Sequence, residues 1–178
     1  MRKWIAGSIV VAALALVACG ETVQPEKVDT SQGAQPASGQ AGEQQGSETQ
    51  TFKVGDTIKL GDLHYTIHGV REVEGNDLFK PEEGNKWIAV EVTIENAGSE
   101  PEAVSSLLGF SLQDSEGYNY GMTILPVDLK GSLDGEIAPG RKMRGEVAFE
   151  IPKDAKGLEL VIDANPFGFG QAIVELGK

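Results

Sequence analysis

The chain has 178 residues, and its 15 Lys and Arg against 27 Asp and Glu leave a formal net charge of −12 at pH 7. That charge repels phosphate backbones and anionic headgroups, which argues against nucleic-acid binding and against attachment to lipid by charge. Cys19 is the only cysteine, so an internal disulfide and a multi-thiolate metal centre are excluded.

The first segment has the pattern of an export signal. Arg2 and Lys3 precede an apolar run over residues 4–18, which as a helix at 1.5 Å per residue is about 22 Å long. Because a hydrocarbon core is about 30 Å thick, the run is short for a permanent span. A positive start, an apolar middle and a small-residue end together predict a signal peptide over residues 1–18.

The end of this segment is the sequence Leu16-Val17-Ala18-Cys19. It resembles the bacterial lipobox, in which an aliphatic residue and two small residues precede a cysteine. The resemblance implies cleavage before Cys19 and a diacylglyceryl group on its thiol, and two acyl chains hold a protein stably on a bilayer. We therefore expect an extracytoplasmic protein anchored to the cell membrane by a lipid on Cys19. An ordinary signal peptide and an uncleaved anchor are the alternatives.

The next segment differs in composition. Residues 20–50 contain seven Gln and five Gly, and Val23 and Val28 are their only bulky apolar side chains. Such a chain buries too little apolar area to offset its ordering entropy, which predicts disorder. With Cys19 it is interpreted as a disordered tether over residues 19–50 that lifts a domain off the membrane, with a root-mean-square reach of about 30 Å. A low-complexity insert without a function is the alternative.

Residues 51–178 alternate apolar and polar side chains in short runs separated by turn signals, which is typical of strands. The clearest run is 87–96, where every second residue from Ile88 to Ile94 is apolar. About eight or nine strands with one buried face favour an all-β fold, an antiparallel sandwich of two sheets. The other predicted strands fall near residues 57–60, 63–67, 110–112, 118–120, 143–151, 158–162 and 172–176.

Several turn and core segments also carry a family likeness: residues 55–58, 61–63, 87–96, 112–117, 139–140 and 145–152. They resemble the bacterial immunoglobulin-like domain known as domain of unknown function 4352, which is similar in fold to a mycobacterial secreted antigen. The likeness covers nearly all of residues 52–164. It implies an immunoglobulin-like β-sandwich of the kind found on secreted proteins and lipoproteins, and it offers no catalytic residues to transfer.

The residues that could carry chemistry are sparse. His64 and His68 are the only histidines, and four residues along a strand separate them by about 13 Å. That is too far for one zinc ion, whose donors lie within about 2.1 Å of the metal, so both are predicted to face solvent. The acidic turns 114–116 and 128–134 do not match a calcium loop, and whether they bind calcium stays open. We predict no enzymatic activity, no metal site and no cofactor.

Apolar residues in predicted loops are the remaining candidates for binding. Phe167, Phe169, Leu78 and Phe79 are candidate partner-binding residues at one end of the sandwich. The favoured alternative is that these loops, together with the apolar stretch 123–135, fold back as lids over the open ends of the core.

The predicted function is that of a non-enzymatic, lipid-anchored extracytoplasmic protein whose sandwich binds a protein or cell-envelope partner. One alternative is a small-ligand or metal-binding lipoprotein, which would need His64 or His68 beside carboxylates from another strand. The other is a structural envelope spacer or antigen without a specific ligand.

Overall fold

The computed structural model describes residues 25–28, 51–163 and 170–177. In these residues the chain forms twelve strands and one helical turn, α1 (Ser106–Gly109). The strands are β1 (Glu26–Lys27), β2 (Thr51–Lys53), β3 (Thr57–Leu60), β4 (Leu63–Val73), β5 (Asn85–Asn96), β6 (Glu102–Val104), β7 (Phe110–Gln113), β8 (Asn119–Gly121), β9 (Gly135–Ile137), β10 (Lys142–Pro152), β11 (Glu159–Asp163) and β12 (Gln171–Glu175).

The strands form two five-stranded sheets and a two-stranded ribbon. Sheet A has the order β1-β3-β4-β5-β10, sheet B has the order β2-β12-β11-β7-β8, and β6 pairs with β9. Their pairings are antiparallel except that β2 runs parallel to β12. The predicted all-β sandwich is confirmed. Its strands exceed the predicted eight or nine because β1, β2, β6 and β9 have only two or three residues, too few to show alternation.

The core lies between the two sheets and contains the residues that alternation placed inward. Leu63, Tyr65 and Ile67 on β4 are buried, as is every second residue of β5 from Ile88 to Ile94. Tyr65 meets Phe110 of sheet B edge to face, with ring centroids 6.3 Å apart. Burying each large apolar side chain contributes about 1.5–3 kcal/mol, which makes this core the main source of stability.

A β-bulge in β4 changes which face of sheet A its residues occupy. The register against β5 shifts between Ile67 and Gly69, at His68. One extra residue inverts the alternation, so Val70 packs against the core while Val73 joins a second apolar cluster. This second cluster lies on the outer face of sheet A and contains Val73, Trp87, Ala89, Leu125 and Ala148.

The connection between β8 and β9 covers that outer cluster, and we call residues 122–134 the strap. Leu125 is buried in the cluster, and Val127 and Leu129 pack against it. The strap then turns around the free edge of β10, where Gly131 bridges Gly145, and it inserts Leu133 into the main core. The predicted lid over an open end of the core was therefore wrong for this stretch, because it covers a sheet face and protects a sheet edge.

One end of the sandwich is formed by connected loops, and we call it the loop end. The backbone N–H of Lys153 donates to the carbonyl of Gly84 at 2.9 Å, and that of Ser115 donates to the carbonyl of Lys156 at 2.9 Å. These bonds join loops from both sheets into one surface. The loop end comprises residues 74–84, 114–117 and 153–157.

The opposite end of sheet A is built from tight turns around Asn96, and we call it the turn end. Asn96 is fully buried, and its Nδ2 donates to the carbonyls of Glu100 at 2.7 Å and Ile137 at 2.8 Å. Its Oδ1 accepts from the backbone of Gly98 at 2.9 Å. The amide is thus satisfied on both sides and fixes the turns to β5. The turn end comprises residues 61–62, 97–101 and 138–141.

Four residues of the predicted tether are part of the fold. Glu26 and Lys27 form β1 at the edge of sheet A beside β3, which differs from the disorder predicted for them. The predicted signal peptide, the lipobox and residues 29–50 lie outside the described residues. In the part of the chain that the structure describes, no helix has the length and apolar character needed to cross a bilayer.

Candidate functional site

Loop 74–84 at the loop end joins β4 to β5 and has a hydrogen-bonded tip. The side-chain Oδ1 of Asn76 accepts from the backbone N–H groups of Leu78 and Phe79, each at 2.9 Å. The backbone of Asn76 donates to the carbonyl of Phe79 at 2.8 Å. Gly75 is required here because a Cβ would collide with that carbonyl. Asn side chains that mimic a backbone turn in this way fix the local chain.

The same loop holds apolar side chains in water. Leu78 is 85% exposed and Phe79 is 46% exposed. Tyr118, 62% exposed, lies beside the 114–117 turn at the same end. Leu78 and Phe79 were candidate partner-binding residues, and their exposure shows that this loop is not the lid that was favoured as the alternative.

The base of loop 74–84 is held by one carboxylate. Oε1 of Glu150 accepts from the backbone N–H of Glu82 at 2.7 Å and from Nδ2 of Asn85 at 3.1 Å. Oε2 accepts from the indole Nε1 of Trp87 at 2.9 Å. The Trp87 bond, aided by the Glu82 and Asn85 bonds and opposed by burial, holds the pKa of Glu150 below its usual range. Glu150 therefore fastens the C-terminal side of the loop, where it enters β5, to β10.

The 114–117 turn is organised by Asp114, a candidate in one of the acidic turns. Its Oδ1 accepts from the backbone of Glu116 and of Tyr118, each at 2.9 Å, and its Oδ2 accepts from the Tyr120 hydroxyl at 2.7 Å. The Tyr120 bond lowers the pKa of Asp114, while burial and then the Asp114 bond raise the pKa of Tyr120 to about 12. Both oxygens of this carboxylate thus stabilise the turn.

A second apolar surface lies between α1 and the strap. Leu107, 60% exposed, and Ile124, 83% exposed, border a groove of about 350 Å³. Asp134, from the other acidic turn, accepts from the backbone N–H of Ser106 at 2.8 Å and from its Oγ at 2.8 and 2.9 Å. Sequence reasoning missed Leu107. The only signal was an apolar pair, Leu107 and Leu108, in a short polar connection.

The two histidines do not form a site together. His64 is half-buried on the outer face of sheet A, where its backbone neighbours across the sheet are Lys59 and Glu95. His68 is exposed at the bulge, and its Nε2 lies 2.8 Å from Oγ1 of Thr93. Within residues 25–28, 51–163 and 170–177, no three His, Cys, Asp or Glu side chains are grouped to hold a metal ion.

An ion pair between the half-exposed Arg71 and the buried Glu146 joins the strap to the outer face of sheet A. Glu146 accepts from Nε of Arg71 at 2.8 Å and from its Nη2 at 2.7 Å, and also from the backbone N–H of Lys130 in the strap at 2.9 Å. The Glu146 side chain is 1% exposed. The bidentate Arg71 bond, stronger than the opposing effect of burial, holds the pKa of Glu146 below its usual range. The pair keeps the strap in place beside the second apolar cluster.

The remaining candidates lie outside the described residues: Leu16, Val17, Ala18 and Cys19 of the lipobox, and Phe167 and Phe169. The residues that flank the last two, Asp163 and Gln171, pair with each other across β11 and β12. Strand β11 begins at Glu159, directly after the loop end, and ends at Asp163. Asp163 and Gln171 therefore lie at the end of the sandwich opposite the loop end.

The fold places this protein among the antiparallel β-sandwich domains, with connected loops gathered at one end. The chain belongs to the family described as Domain of unknown function (DUF4352), whose sequence pattern matches residues 52–173. The predicted family resemblance is confirmed.

The relatives include an uncharacterized lipoprotein, YjhA of Bacillus subtilis (strain 168), which is 26% identical over 134 residues. That alignment covers 67% of this chain and 61% of YjhA, so the chain spans about three fifths of its relative.

Solved structures share the fold. The crystal structure of the YjhA protein aligns with a TM-score of 0.52 at 22% identity, over 70% of this chain and 98% of that one. An uncharacterized β-sandwich protein of Clostridium difficile 630 aligns with a TM-score of 0.52 at 15% identity, over 75% of this chain and 99% of that one. The secreted protein MPT63 of Mycobacterium tuberculosis aligns with a TM-score of 0.51 at 12% identity, over 71% of this chain and 98% of that one.

Proposed function

We propose that this protein is a non-enzymatic lipoprotein, fastened to the outer side of the cell membrane through Cys19, whose sandwich binds a protein partner through loop 74–84. The observation that carries the binding part is Leu78, an apolar side chain 85% exposed on a loop whose backbone is hydrogen-bonded at its tip and base. The anchoring part is supported by the lipobox and by the lipoprotein relative YjhA.

The physical argument for binding is preorganisation. Ordering a flexible loop on association costs free energy, and a loop already fixed by Asn76 and Glu150 avoids much of that cost. Leu78 and Phe79 then supply apolar area for the centre of an interface, and charged neighbours such as Asp77 and Lys80 suit its rim. Burial of each apolar side chain would contribute about 1.5–3 kcal/mol to association.

The anchor is tested by Cys19→Ala. We expect this variant to move from the membrane fraction to the soluble fraction, because the acyl chains that supply about 0.8 kcal/mol per buried CH₂ have no thiol to join. The measurement is immunoblotting of both fractions together with mass spectrometry of the mature N-terminus. Gly20→Ala, which keeps the thiol, serves as the matched control. Retention of the Cys19→Ala variant in the membrane would contradict the proposed anchor.

The binding surface is tested with a photoreactive amino acid placed at the exposed residue Asp77 in intact cells. We expect a discrete crosslinked product that falls at least tenfold in a Leu78→Ser/Phe79→Ser background, since losing about 1.5 kcal/mol or more weakens binding by that factor. Thermal unfolding should remain unchanged because both side chains are exposed.

Ile124→Ser is the matched control for this experiment, because Ile124 is as exposed as Leu78 but lies beside the groove. The control should leave the crosslinked product intact. If Ile124→Ser removes the product and the loop variant does not, the binding surface is the groove and the proposal for loop 74–84 is wrong.

A further inference from the structure

Residues 25–28 are bound to the edge of sheet A by backbone and side-chain contacts. Glu26 lies opposite Lys59 and Lys27 opposite Ile58 in an antiparallel pairing, and the N–H of Val28 donates to the carbonyl of Thr57 at 3.0 Å. The Lys27 ammonium lies 2.8 Å from Oδ1 of Asp56. Two different kinds of contact therefore hold a segment that follows the proposed anchor by only a few residues.

The direction of β1 shows toward which end of sheet A its N-terminal side points. Because β1 runs antiparallel to β3, with Glu26 opposite Lys59, its N-terminal side faces the Leu60 end of β3, beside residues 61–62. Those residues belong to the turn end. Cys19 precedes Glu26 by seven positions, and seven residues span at most about 25 Å.

We infer that residues 25–28 clamp the domain to the membrane in one orientation, with the turn end facing the lipid surface and the loop end facing away. This inference rests on the proposed lipid on Cys19. The 22 residues 29–50 then connect Val28 to Thr51 within the domain and add nothing to its distance from the bilayer. An unclamped chain over residues 19–50 could extend to about 100 Å.

The geometry of sheet A carries the loop end well away from the lipid. Strand β4 runs from Leu63 at the turn end to Val73 at the base of loop 74–84, a rise of about 33 Å at 3.3 Å per residue. Leu78 and Phe79 lie beyond that point. The clamp therefore directs the proposed partner-binding loop outward, where a partner outside the membrane can reach it.

Charge favours the same orientation. The turn end contains the carboxylates Asp62 and Glu100 against the guanidinium of Arg141, so it is close to neutral. The loop end contains seven carboxylates against three lysines. Anionic headgroups repel the more acidic end more strongly. The carboxylates are Glu74, Asp77, Glu82, Glu83, Asp114, Glu116 and Asp154, and the lysines are Lys80, Lys153 and Lys156.

The experiment uses the lipidated full chain in phosphatidylcholine vesicles that contain a fluorescent acceptor lipid. Because Cys19 is acylated, a cysteine introduced by Ser99→Cys at the turn end or Glu83→Cys at the loop end is the only free thiol for a donor dye. Both positions are exposed. We expect energy transfer to the bilayer to be several-fold higher from position 99 than from position 83.

Two further variants separate the clamp from a free tether. Lys27→Glu with Val28→Pro places a carboxylate against Asp56 and removes the donor to Thr57, so transfer from positions 99 and 83 should become similar. Deleting residues 33–44 shortens only the closed segment and should leave both values unchanged. Circular dichroism of each variant checks that the sandwich is folded.

Equal transfer from positions 99 and 83 in the parent chain, or an increase on deletion of residues 33–44, would overturn the clamp. A chain that does not float with the vesicles would instead contradict the proposed lipid on Cys19. Hydrogen exchange at the Val28 amide then reports docking separately, because the bond to Thr57 requires no lipid. Protection in the parent and its loss in Lys27→Glu/Val28→Pro are the results expected.

Discussion

Arg71→Ala is expected to lower the free energy of unfolding by about 2 kcal/mol. The substitution leaves the Glu146 carboxylate, 1% exposed, with only the Lys130 backbone N–H as partner. Removing one member of a fully buried ion pair costs about 3–5 kcal/mol because the other charge remains desolvated. The loss is smaller here because the Arg71 side chain is 41% exposed and water screens its charge. Urea denaturation at pH 7, followed by tryptophan fluorescence of Trp87 in the adjacent cluster, measures the loss.

The stability lost in Arg71→Ala should depend on pH. Since the folded pKa of Glu146 is lowered from its usual 4.5, the carboxylate contributes stability above about pH 4.5 and loses it as the pH falls through the folded value. The difference in free energy of unfolding between the parent and Arg71→Ala should therefore become smaller at low pH. A difference that stays constant from pH 7 to pH 3 would show that the lost stability does not come from the ion pair.

Arg144→Ala is the matched control on the same face. Its partner Glu91 has a side chain that is 27% exposed, and pairs open to solvent contribute about 1 kcal/mol or less. Replacing both partners, Arg71→Met with Glu146→Leu, should recover most of the stability because no charge is left desolvated. A double variant as unstable as Arg71→Ala would contradict this explanation.

Gly131→Ala is expected to cost about 3 kcal/mol, the second large effect. Gly131 has φ of +66°, and a Cβ there would collide with the carbonyl oxygen of Arg144 and approach the Cα of Gly145 at 3.3 Å. The left-handed backbone alone costs about 1–2 kcal/mol for alanine, and forcing rigid backbones apart adds about 1–3 kcal/mol. Thermal and urea unfolding measure the sum.

Gly140→Ala separates the two contributions. Gly140 has φ of +70°, nearly the same conformation, but no atom lies within 4 Å of its added Cβ. This variant should show the backbone cost alone, about 1–2 kcal/mol. Equal losses for Gly131→Ala and Gly140→Ala would mean that the close approach of the strap to β10 does not contribute to stability.

Alternation in the sequence was sufficient to predict the inner faces of the strands. Leu63, Tyr65 and Ile67 could be assigned to the core because a half-buried strand repeats every two residues. The same rule failed beyond Ile67, where the bulge at His68 inverts the faces of β4. The one local hint is Gly69, because a glycine inside a strand often marks a bulge, but the position of the extra residue depends on pairing with β5.

The strap illustrates a second limit. Leu125, Val127, Leu129 and Leu133 have only weak periodicity, so they predicted a covering segment without showing what it covers. The structure places three of them over the outer cluster of sheet A and Leu133 in the main core. The partners that decide this, Trp87, Ala89 and Ala148, belong to strands far away in sequence.

Only part of the candidate site could be predicted from the sequence. Leu78 and Phe79 could be singled out from the sequence as apolar residues among charges, but their exposure and the bonds from Asn76 and Glu150 could not. Glu150 is 68 positions from Glu82, and only the folded chain brings the two together. The position of residues 25–28 on β3 was also not predictable, because two strand residues carry no periodic signal.

By itself the sequence determined the family and the all-β class, and it predicts the export signal and the lipobox, because each depends on residues close together along the chain. The tertiary structure decided which loops cover a sheet and which stay in water, where the Arg71–Glu146 ion pair forms, and which edge of sheet A takes up residues 25–28. Those outcomes depend on contacts between distant segments, whose free energies exist only once the two sheets have packed.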